Sequence, residues 1–93
     1  MIVLSEKHRA IVDNILKSVP YSFYVFGSRV KGTAKPFSDL DLAVEETLLM
    51  RERSLLETMF EESDLPFKVD LIELEKVDKE FVKNIKPDLV RWE

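Results

Sequence analysis

Only two glycines occur in this chain of 93 residues, Gly27 and Gly32, and both fall inside one six-residue stretch. Average usage of ~7% would give about six or seven. One turn therefore needs backbone freedom, and the rest of the fold is built without it. Before that turn stands Tyr21–Phe26, a short aromatic run that fits a buried strand. After it, residues 28–33 read as one or two helical turns, with Gly32 as the cap that ends them. A chain leaving a strand through Gly-Ser into a helical turn presents free backbone N–H groups and the positive end of a helix dipole. That is an anion site.

The remaining pattern surrounds this turn with regular elements. Ser5 is a candidate N-cap, and Ile11, Val12, Ile15, Leu16 and Val19 recur at helical spacing, which predicts a helix over 6–18. Residues 39–45 alternate cleanly and predict a second strand. Thr47 is expected to cap a helix with Leu48, Leu49, Leu55, Leu56, Met59 and Phe60 as its core-facing stripe, ended by Asp64-Leu65-Pro66. A third strand over 67–73, a short helix over 78–85 and a tail to Glu93 complete the chain. Trp92 in that tail reads either as a docking residue or as a packed terminus. This order predicts an α/β (α+β) domain, a small mixed sheet of three or more strands with helices packed on it. Residues 1–93 are expected to form one domain, too short for a two-domain enzyme, a TIM barrel or a full dinucleotide-binding domain.

Charge is uneven along the chain. The net charge is −4, yet residues 1–36 carry six basic and two acidic groups, and residues 37–93 carry eight basic and sixteen acidic groups. An acidic chain disfavours direct nucleic-acid or anionic-membrane binding over its whole surface. Cysteine is absent, so disulfides, thiolate metal sites and a cysteine nucleophile are excluded. The Met-Ile-Val-Leu opening is too short for a signal peptide, and no apolar run approaches the ~18 residues needed to span a bilayer. A soluble cytoplasmic protein is expected.

The chemistry is concentrated in Gly27-Ser28-Arg29-Val30-Lys31-Gly32 and Ser38-Asp39-Leu40-Asp41-Leu42. Two residues apart on a strand, Asp39 and Asp41 project from one face, while Leu40, Leu42 and Val44 take the other. Side-by-side carboxylates repel each other unless a cation sits between them. Oxygen-only ligands favour Mg²⁺ or Mn²⁺, and magnesium is commonly held by one or two carboxylates plus substrate phosphates. Arg29, Lys31 and Lys35 add positive charge beside the turn, and residues 27–38 contain no acid. A phosphate cradle and a metal pair ten residues apart point to a nucleoside triphosphate with its metal. Asp70, between apolar neighbours on the third strand, could complete a three-carboxylate cluster and take a proton from an attacking hydroxyl.

Gly27-Ser28, ten residues, then Asp39-x-Asp41 resembles the signature of nucleotidyltransferases of the DNA polymerase β-like superfamily. The wording Gly-Ser-Arg-Val-Lys-Gly and Ser-Asp-Leu-Asp-Leu, with the later Ser63-Asp64-Leu65-Pro66-Phe67-Lys68-Val69-Asp70, resembles its minimal nucleotidyltransferase (MNT) branch over roughly residues 8–75. The resemblance implies the polymerase β-like fold and transfer of a nucleoside monophosphate, AMP from ATP, to an acceptor hydroxyl. It implies that Gly27 and Ser28 contact the triphosphate and that Asp39, Asp41 and Asp70 hold Mg²⁺ or Mn²⁺, with Asp70 nearer the acceptor. Arg29, Lys31 and Ser38 are expected among the nucleotide-binding residues. The resemblance also implies a HEPN-domain toxin as partner in a hetero-oligomer, with a tyrosine of that toxin as acceptor and this chain as antitoxin. The alternatives are a nucleotide-binding antitoxin that neutralises its partner by contact alone, and transfer to a small molecule. With one domain in the chain, the acceptor site is expected to be shared with another molecule.

Overall fold

The computed structural model describes residues 2–93. Helix α1 (Glu6–Leu16) starts where Ser5 Oγ accepts the His8 N–H at 3.2 Å. Strand β1 (Phe23–Phe26) runs into the short helix α2 (Ser28–Lys31), and β2 (Leu40–Val44) follows a loop. Helix α3 (Met50–Glu61), strand β3 (Val69–Glu73), helix α4 (Lys79–Ile85), a 3₁₀ turn (Lys86–Asp88) and strand β4 (Val90–Arg91) complete the order.

The four strands form one mixed sheet in the order β3-β2-β1-β4. β1 pairs antiparallel with both β2 and β4, and β2 pairs parallel with β3. A parallel pair needs a crossover, which α3 supplies. Alternation then divides the sheet. Phe23, Val25, Leu40, Leu42, Val44 and Leu71 face a core filled by Val12, Ile15 and Leu16 of α1 and Leu56 of α3. Each fully buried aliphatic side chain there contributes roughly 1.5–3 kcal/mol. The opposite face carries Phe26, Asp41 and Asp70, and Phe81 of α4 meets Phe26 there edge-on, 6.2 Å between ring centroids.

Several expectations change. The tail contains the edge strand β4, and Trp92 is a packed terminus: its N–H donates to Phe23 O, its indole N–H donates to Asp13 at 3.0 Å, and Arg9 stacks on its ring. Thr47 does not cap α3; its hydroxyl donates to Glu75, and Leu49 holds the capping position, with its N–H donating to Glu52 at 2.9 Å. The apolar stripe of α3 is only partly core. Leu48 and Leu56 are buried and Met59 and Phe60 partly so, whereas Leu49 and Leu55 face outward, as does Met50 beside them, 86% exposed. No helix of the described residues is long and apolar enough to cross a membrane.

Candidate active site

Gly27 has φ +77° and ψ −151°, a conformation open almost only to glycine. It links β1 to α2, and a Cβ built on it would collide with Oδ2 of Asp41. The turn and the carboxylate are therefore packed against each other. Gly32, also left-handed at φ +78° and ψ 13°, ends α2 and has open space around it.

Pairing in the sheet assembles the acids. Phe26 lies opposite Asp41, and Asp41 lies opposite Asp70 on β3. Asp39 immediately precedes β2 and is exposed, and Asp41 is half-buried between the buried Leu40 and Leu42. Burial raises the Asp41 carboxyl above its ordinary value, and the charges of Asp70 and Asp39 raise it further. Among the described residues, none of the three carboxylates joins a salt bridge. Nor do any three His, Cys, Asp or Glu side chains stand gathered as a finished metal site. The expected three-carboxylate cluster is thus a row across adjacent chain segments, not a closed set of ligands. Its donors are all oxygen and its repulsion is uncompensated, which fits a hard divalent cation.

The basic residues take different positions from those expected. Arg29 is 5% exposed and turned into the protein. Its guanidinium donates to Ser38 O at 2.7 Å, Val3 O at 3.2 Å and Pro36 O at 3.3 Å, and lies 4.4 Å from the centre of the Phe67 ring. It is not free to meet a phosphate, because backbone carbonyls already occupy its forked donors. Ser38 is likewise engaged: its Oγ accepts the Lys35 N–H at 2.8 Å, closing a turn. Lys31 remains outward, loosely paired with Asp88 at 3.6 Å. An exposed pair of that length is weak and easily exchanged for a phosphate.

Glu73 escaped the sequence reading. It is 3% exposed at the end of β3, accepts the Leu48 N–H at 3.2 Å and pairs with Lys76 and Arg53. It thereby anchors the lead into α3. Extending the Val69, Leu71 alternation by one step places it on the core face, which was the available signal.

Beyond the acids, a cleft of about 700 Å³ follows β3 and is lined by Asp41, Asp70, Phe26, Phe60, Ile72 and Phe81, with Glu57 and Glu61 of α3 on its wall. The two sides of Asp41 differ in charge. Toward β1 lies the acid-free segment 27–38, and toward β3 lies a partly aromatic cleft in which Asp41, Asp70, Glu57 and Glu61 outnumber Arg53 and Lys68.

A sequence model of the polymerase beta nucleotidyltransferase family matches residues 10–89. A probable protein adenylyltransferase MntA of Haemophilus influenzae is 46% identical over 82 residues, covering 84% of this chain and 72% of that protein. Among solved structures, a toxin–antitoxin complex with AMP-PNP matches with TM-score 0.72 and 26% identity over 91% of this chain and 72% of that one. A mutant MntA–HpeT toxin–antitoxin complex matches with TM-score 0.69 and 26% identity over 96% of this chain and 72% of that one. The family match takes in the glycine turn, both aspartates of β2 and its lead-in, and Asp70. By that match, and by the fold that sets Gly27 against Asp41 and Asp41 beside Asp70, the chain belongs to the polymerase beta nucleotidyltransferase family.

Proposed function

We propose that this protein transfers AMP from ATP to a hydroxyl of a protein partner, a tyrosine of a HEPN-type toxin, and acts as the antitoxin of that pair. The observation that carries the reading is the juxtaposition of Gly27, Asp41 and Asp70 on adjacent elements. The name of the H. influenzae relative and the toxin–antitoxin assemblies of the two structural relatives support the partner and the reaction.

In this reading Gly27 and Ser28 receive the triphosphate, with Lys31 released from Asp88 to meet it. Asp39, Asp41 and Asp70 hold Mg²⁺ or Mn²⁺, which supplies positive charge to the oxygens that gain negative charge. The acceptor enters from the cleft beside β3. Asp70 takes the hydroxyl proton, the acceptor oxygen bonds to the α-phosphorus, and the bond to the β-phosphate oxygen breaks, releasing pyrophosphate. Transfer requires the entering and leaving oxygens in line about the α-phosphorus.

The test is the mass of the partner after incubation with this protein, ATP and Mg²⁺. A gain of AMP residues that is lost with Asp41→Asn supports transfer. An unmodified partner in a stable complex supports neutralisation by contact, a reading favoured by the exposed Leu49 at the cap of α3 and Met50 and Leu55 within it.

A further inference from the structure

Arg29 is a buried cation that, among the described residues, pairs with no carboxylate. Burying a charge without an ion pair is costly, and here the compensation comes from three carbonyls and an aromatic face. Its Nε has no partner at all. An apolar residue would fill this space without that cost, so the fold retains the guanidinium for where its donors point.

They point to the segments that carry the site. Arg29 is itself the residue after Ser28, on α2. Its 2.7 Å bond is to the carbonyl of Ser38, the residue before Asp39, and a second bond reaches Pro36 in the same loop. Its flat face rests on Phe67, three residues before Asp70. Its own carbonyl accepts the Val3 N–H at 2.7 Å, and its side chain returns a bond to Val3 O, so α2 is also fixed to the N-terminal segment. One planar side chain thus joins the phosphate turn, the loop leading into β2 and the segment leading into β3. The loop matters most, because Asp39 lies outside β2 and lacks the strand's own pairing to place it.

We infer that Arg29 is a positioning residue that sets Asp39, and with it the metal-holding pair, against the Gly27-Ser28 turn. It acts on the metal site through the Ser38 carbonyl and does not touch the nucleotide. This rests on the reading that Asp39 and Asp41 hold the divalent cation.

Lysine cannot reproduce the fork or lie flat on Phe67, so Arg29→Lys keeps the charge and loses the geometry. The test is Mn²⁺ binding followed by electron paramagnetic resonance without nucleotide, at a temperature where circular dichroism shows each variant folded. Arg29→Lys should weaken Mn²⁺ at least about tenfold, lower kcat by a similar factor and move the KM for ATP less than about threefold. A phosphate ligand would instead raise the KM for ATP and leave nucleotide-free Mn²⁺ binding unchanged. A purely structural residue would lower the melting temperature alone. Either result overturns the inference. If Arg29→Lys does not fold, Phe67→Leu decides: Mn²⁺ binding weakened about threefold or more supports the inference, and wild-type binding overturns it. Asp41→Asn, which should abolish Mn²⁺ binding, is the separate control. If it binds like wild type, the metal reading itself has failed.

Discussion

A Cβ on Gly27 would collide with Oδ2 of Asp41. The glycine turn proposed to receive phosphate and the carboxylate proposed to hold the metal are therefore packed against each other in the fold itself. Gly27→Ala must move one or both. The left-handed backbone at this position costs a non-glycine residue about 1–3 kcal/mol. A displacement of about 1 Å at a reacting centre costs ~10²-fold in rate. Gly27→Ala is expected to show both effects in urea melts and in rates of AMP transfer. Gly32→Ala, with the same sign of φ but open space around it, is expected to lose about 1 kcal/mol and retain transfer.

Asp41 gives a pH dependence with a defined sign. Burial, then Asp70 and Asp39, raise its folded-state pKa above the ordinary 3.8. Between those two values the native state binds more protons than the unfolded chain, so stability falls as pH rises through that window. Above the window the ionised carboxyl is a standing cost. In metal-free buffer Asp41→Asn is therefore expected to melt higher than wild type at pH 7, with the gain shrinking as pH falls toward 3.8. Added Mg²⁺ should raise the wild-type melting temperature and leave the variant's unchanged. Paired thermal melts with and without chelator check both statements.

How much of this was legible depends on the range of each signal. The alternation from Leu40 to Val44 placed Asp41 on the face opposite the core, and the structure shows that placement. The parallel pairing that brings Asp70 to Asp41 was readable only as a conditional, because which strands neighbour each other is decided by the whole sheet. Arg29 misled because charge beside a glycine turn suggests phosphate, while side-chain direction depends on a loop with no periodic pattern. β4 was illegible for a simpler reason: two residues have no period. The exposed Leu49 and Leu55 show the limit of helical spacing, which marks an apolar stripe without saying what covers it.

That missed strand gives its own prediction. Trp92 closes the β4 edge through Phe23 O and ties it to α1 through Asp13. It is only half-buried, so Trp92→Ala should cost less than a core aromatic truncation, about 1–3 kcal/mol. Trp92→Phe keeps most of the ring contact and loses the indole bond to Asp13, a net cost of about 1 kcal/mol. Denaturation followed by far-ultraviolet circular dichroism measures both without relying on the tryptophan signal.

On the proposed reading the cleft beside β3 receives the acceptor and the glycine turn receives the nucleotide. Phe81 stands 42% exposed at the cleft mouth, edge-on to Phe26, which lies opposite Asp41 in the sheet. The residues proposed to receive ATP, Gly27, Ser28 and Lys31, follow Phe26 in the chain and do not line the cleft. Phe81→Ala removes an aromatic wall that a partner's acceptor residue would pass, and it leaves Gly27, Ser28 and Lys31 in place. An aromatic contact of this kind contributes about 0.5–1.5 kcal/mol beyond its buried area, so the KM for the protein acceptor should rise between about 2-fold and 13-fold. The KM for ATP should stay within about twofold. Glu61→Lys, reversing a charge on the same wall, should also alter acceptor KM, and its effect should shrink at high salt because the group is exposed. Steady-state kinetics with each substrate varied in turn distinguish this from a nucleotide-side cleft, for which the ATP KM would be the quantity that moves.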